Sequence, residues 1–112
     1  MVSQYNTLIQ NNQIIRDYAI NNNKTLYDWW DIEHYDPDGK YYDIVDDYCR
    51  YYNPSFVEQG NWCTEWQNNH TQGVDWYNSA SAHSLPLNAN QKAYAFWYML
   101  ARMAFLISLK FS

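Results

Sequence analysis

Positive charge is scarce in this chain: seven Lys and Arg stand against twelve Asp and Glu in 112 residues, a formal net charge of -5. That balance excludes nucleic acid as a partner, because phosphate binding needs charge of the opposite sign. Cysteine is limited to two residues, and the three histidines, His34, His70 and His83, form no pair at the close spacing of a zinc site. Met1 to Gln10 has neither a basic start nor a long apolar centre, so it is not a signal peptide. An exported form would carry its signal upstream, or start elsewhere than Met1. Aliphatic side chains are thin on the ground.

Aromatic residues take their place, with 12 Tyr, 6 Trp and 4 Phe. Such rings either fill the interior or lie at a sugar-binding surface, and their hydroxyl and indole groups need polar partners. Residues 1–112 have room for one domain, or for part of one, burying roughly 65% of the unfolded surface.

The pattern predicts a helix over about residues 3–22, where Tyr5, Leu8, Ile9, Ile15, Tyr18 and Ala19 recur at near-helical spacing. Thr25 to Ile32 predicts one short aromatic strand. A lone strand cannot satisfy its own edges, so it pairs outside the chain or gives way to helix and loop. Glu33 to Asn78 is loop-like, with Asp36-Pro37-Asp38-Gly39 a turn. A second long helix is expected over about 88–107, with Asn88 or Asn90 as its cap and Pro86 just outside it. The run Ala93 to Ala101 is apolar on every face, which predicts burial in the core; an interfacial helix or a surface for a partner chain are the alternatives. A membrane span is excluded by Arg102, since centring a guanidinium in hydrocarbon costs about 2.5–3.5 kcal/mol.

Eight of the twelve acids fall between Asp28 and Asp47. Asp31, Glu33, Asp36 and Asp38 offer oxygen ligands for Ca2+, although the spacing is not that of an EF-hand; a solvated acidic turn is the other outcome. Cys49 and Cys63 either close a loop worth about 3 kcal/mol or stay as buried thiols.

Three sequence words, Asp31-Ile32-Glu33-His34-Tyr35-Asp36-Pro37-Asp38-Gly39, Glu65-Trp66-Gln67-Asn68-Asn69-His70-Thr71 and Ala82-His83-Ser84-Leu85-Pro86-Leu87-Asn88-Ala89-Asn90, carry a resemblance. Together with Asn12 to Tyr18 and Leu26-Tyr27-Asp28, they resemble the C-terminal half of a group of secreted bacterial proteins related to the SGNH (GDSL-type) hydrolases. The likeness runs from about Asn11 to Ala104. It implies an α/β-derived fold of two long helices, one strand and a long loop region, mostly helical and irregular in appearance, in an extracellular protein. It also implies a partner for the first cysteine nearer position 79, where this chain has Ser79.

In SGNH-like hydrolases a serine near the start attacks an ester and a histidine near the end takes its proton. His83 corresponds to that base. Position 80 is alanine where the resemblance implies the orienting aspartate, so Asp75 or a carboxylate of the Asp31 to Asp36 stretch would have to serve. The Gly-Asp-Ser nucleophile segment and the oxyanion-hole strands are absent from this sequence. His83 is otherwise a structural histidine that fixes the loop before the helix.

Three functions compete. The chain is the C-terminal part of an SGNH-like esterase or acylhydrolase, inactive alone and completed by an N-terminal half. Alternatively it is a carbohydrate-binding module, or a structural subunit that assembles with identical copies. A serine hydroxyl within reach of His83 favours the first, a flat exposed aromatic row the second, and a large apolar surface the third.

Overall fold

A computed structural model describes residues 2–111. Helix α1 runs Val2–Asn21 and ends where Lys24 N–H donates to the Ala19 carbonyl. Helix α2 follows at Trp29–His34. Strands β1, Arg50–Tyr52, and β2, Glu58–Asn61, pair antiparallel in a hairpin with a bulge between Tyr51 and Tyr52. Helix α3, Trp62–Asn68, and helix α4, Pro86–Phe111, complete the order. Both long helices stand close to where periodicity puts them.

The strand expected over 25–32 is not formed; its second half is the start of α2. Asp28 explains the difference: its carboxylate caps the helix by accepting from Asp31 N–H, and its other oxygen receives Arg16 of α1 at 2.6 Å. Tryptophan and isoleucine favour strands only where a neighbouring strand receives them. Here Trp30 and His34, four residues apart, stack at 3.8 Å on one side of a helix.

Helix α4 starts earlier than its expected cap. Pro86 occupies its first turn, where a missing N–H costs nothing. Asn88 and Asn90 are therefore inside the helix and buried, and they bond across the fold: Asn88 Nδ2 donates to the Ile32 carbonyl at 2.8 Å and Asn90 Oδ1 accepts from Tyr77 N–H at 2.7 Å. These bonds clamp the first two turns of α4 onto α2 and the 70s loop.

The core is small. Tyr42, Val45, Cys49, Trp62, Cys63 and Leu87 form it, with Tyr51, Trp66, Trp76 and Leu85 packed against it. The disulfide Cys49–Cys63 lies at its centre. The partner of Cys49 is thus Cys63 and not a residue near 79. Asn61 closes the same knot, capping α3 through Thr64 N–H and donating to the Tyr48 carbonyl.

The core takes in only the start of α4, at Leu87. Burial stops at Lys92, and beyond it Phe96, Trp97, Tyr98, Phe105 and Ile107 are all exposed, Trp97 by 70%. The expectation of a buried helix is overturned: an all-round apolar helix needs protein on every side, and this chain supplies it on one side only. The radius of gyration, 16.3 Å, exceeds the ~13 Å of a compact domain of this size. No described helix is long and apolar enough to cross a membrane.

Candidate functional site

The loop 79–85 and the start of α4 carry the densest polar chemistry. Tyr48 holds the loop by donating to the Ala82 carbonyl at 2.7 Å, and a cleft of about 590 Å3 opens beside it, lined by Trp29, Ser79, Ser81, His83, Ser84 and Lys92. Ser84 and Lys92 are its buried members. The Lys92 ammonium donates to Glu33 at 2.8 Å and to Ser84 Oγ at 2.5 Å, and lies 4.6 Å over the Trp29 ring. Two anionic or acceptor oxygens and an aromatic face replace the water that burial removes.

His83 is on the rim, its side chain 75% exposed, with Nδ1 3.1 Å from Asp47. The carboxylate that reaches His83 is therefore Asp47. Asp75 is committed elsewhere, accepting from Thr71 N–H at 2.8 Å to close its own turn. The acids from Asp31 to Asp36 are committed too. Ser84, the neighbouring hydroxyl, faces the Lys92 ammonium, which donates to its oxygen and makes it an acceptor. Ser84 Oγ thus has its bond with Lys92 and His83 Nδ1 its bond with Asp47, so the contact found at each side chain is with a third residue.

The other two histidines are structural. His34 is buried between Trp30 and Tyr5, with Nδ1 2.7 Å from the Trp30 carbonyl and Nε2 3.1 Å from the Tyr5 hydroxyl. Burial holds its pKa below the usual imidazole value and pushes the Tyr5 phenol up to about 12. Since Tyr5 also reaches the Asp43 carbonyl at 2.6 Å, this one contact ties α1, α2 and the 41–45 loop together. His70 stacks flat on Trp66, centroids 3.5 Å apart, and bonds the Trp66 carbonyl. Glu65, on the same helix, accepts from the Tyr51 hydroxyl and the Asn61 N–H.

The four acids expected around Ca2+ are dispersed. Asp31 pairs with Arg16 at 2.9 Å and Glu33 with Lys92; Asp36 accepts from the Asp38 and Lys40 N–H groups, and Asp38 from Trp66 Nε1 at 3.0 Å. Among the described residues no three His, Cys, Asp or Glu side chains gather as a metal site. The set does not fit Ca2+, which needs six to eight converging oxygens.

Asp47 and Lys92 are the site residues that sequence reasoning missed. Asp47 lies thirty-six positions from His83 and in no shared motif. Lys92 did carry a signal: a base directly preceding an apolar helical run either projects to solvent or has a buried partner.

Comparison with known proteins adds no relative: no family model, no curated protein and no solved structure matches the chain.

Proposed function

We propose that this chain is the closing, C-terminal part of a secreted SGNH-like esterase-related protein, and that its own role there is association and not ester hydrolysis. The observation that carries association is the apolar surface of α4 beyond Lys92, where Trp97, Tyr98, Phe105, Leu106, Ile107 and Leu109 are each more than half exposed. So many exposed large apolar side chains on one helix point to an interaction site. The folded part that presents it is held by a disulfide, which fits an oxidising, extracellular setting.

Hydrolysis is the second reading, favoured by one contact, His83 with Asp47 beside a serine-rich cleft. Against it, Ser84 accepts from Lys92 and His83 is open to water. Sedimentation equilibrium tests association: the chain is expected to form dimers at micromolar concentration, and a monomer at every concentration contradicts it. A p-nitrophenyl ester assay tests the second reading, with background turnover expected. Turnover abolished by His83→Ala and by Ser81→Ala or Ser84→Ala would replace association with catalysis as the role of the chain.

A further inference from the structure

We infer that the cleft between the 36–40 turn and α3 is a subsite for one neutral pyranose ring, its hydroxyls bonded to Trp62 and the flanking carboxylates and its C–H face on aromatic side chains. The site is independent of association through α4. Its volume is about 340 Å3, at the lower end of the range for small-molecule sites. Trp62 forms part of its wall. That residue is only 1% exposed, yet its indole Nε1 has no acceptor among the described residues. Folded proteins rarely leave a buried donor unmet, so an acceptor from the cleft completes this wall.

The carboxylates have the opposite need. Asp38 gives Oδ2 to Trp66 Nε1 at 3.0 Å and has no partner for Oδ1. Asp36 Oδ1 accepts from two backbone N–H groups, and Glu65 Oε1 from Tyr51 and the Asn61 N–H. The second oxygen of each has only a 3.4 Å contact with a tyrosine hydroxyl. All three acids therefore hold lone pairs for a further donor.

A ligand that fits this cleft accepts from Trp62 and donates to the acids. A hydroxyl does both through a single oxygen. A metal ion cannot accept from an N–H, and no three acids gather as a metal site among the described residues. An anion would meet three carboxylates against one ammonium, that of Lys40. Neutral, hydroxyl-rich molecules remain.

The aromatic walls narrow these to a ring. Trp66 and His70 stack flat, 3.5 Å apart, and Tyr42 lies within 18° of parallel to Trp62. All four line the cleft. Rings already fixed by stacking take the C–H face of a sugar with little further loss of side-chain freedom.

The test titrates the isotopically labelled full chain with the methyl glycosides of glucose, galactose, mannose and N-acetylglucosamine, and follows the Trp62 indole N–H by NMR. A saturable shift with at least one of them is the expected result. Asp38→Asn keeps an acceptor for Trp66 and turns the free oxygen into a donor, so it should weaken that binding about tenfold with circular dichroism unchanged. Glucuronic acid, which adds a carboxylate to the same kind of ring, should bind the wild-type chain more weakly than the neutral sugars by a similar factor. That comparison does not depend on how the variant folds. A Trp62 signal that none of the four sugars moves shows that water alone meets the N–H and overturns the site. Binding undiminished in Asp38→Asn, or glucuronic acid bound as tightly as the neutral sugars, overturns the part assigned to the acids and with it the subsite.

Discussion

Removing the disulfide should unfold much of what the chain has. Cys49 and Cys63 are 1% and 0% exposed and make up two of the six core residues. Closing a loop of sequence separation 14 restricts the unfolded chain by about 3 kcal/mol. Against a typical domain stability of about 5–15 kcal/mol, and with so few other core side chains, that loss is large. With a urea slope near 2 kcal/mol per molar, the midpoint should fall by about 1.5 M. Trp62, buried in the same cluster, reports the transition by fluorescence. Cys49→Ser/Cys63→Ser and reduced wild-type protein should give the same lowered midpoint. Reduced and oxidised chains unfolding within about 0.3 M of each other would refute the placement of the bridge at the centre of stability.

Lys92→Met should destabilise by about 3 kcal/mol in the same assay, because the stem is kept while Glu33, 19% exposed, is left without its cation; an unchanged midpoint would show that the ammonium is solvated. His34 should titrate below 6.5 by NMR, since burial disfavours its charged form. The sign follows: below about pH 6.5 the unfolded chain binds a proton that folded His34 refuses, so its contribution is complete above that pH and is lost as pH falls through the depressed folded value. A His34 resonance titrating at or above 6.5 contradicts this. Glu65→Ala should free Tyr51 and the α3 cap together and cost about 1–2 kcal/mol by urea unfolding, with no loss indicating that water replaces both bonds.

What was legible in the sequence is what local spacing determines. The apolar recurrence from Tyr5 to Ala19 and the glycine-free run after Lys92 mark α1 and α4, and of the two outcomes open to the cysteines the bridge is the one formed. Thr25 to Ile32 was misread because aromatic content signals a strand only where another strand is available, and the Asp28 cap fits either outcome until Arg16 is seen beside it. The acidic segment pointed to a cation, and cations are present: they are Arg16, Arg50 and Lys92, brought from outside the segment. Pairing of Asp47 with His83 depends on the Tyr48 to Ala82 bond that folds the loop back, a tertiary fact with no local trace. Burial of α4 was the largest error. All-round apolarity states that a helix is covered, and not by what.

Sedimentation equilibrium of the wild-type chain against Leu100→Glu bears most directly on association. Leu100 is 38% exposed on α4, so a carboxylate there reaches water in the monomer and becomes a buried unpaired charge where α4 packs on a partner. A wild-type dimer at micromolar concentration and a monomeric Leu100→Glu chain with unchanged circular dichroism is the expected pair of results. A wild-type monomer, or a variant that associates as well as the wild type, would show that α4 is not the surface through which this protein meets its partner.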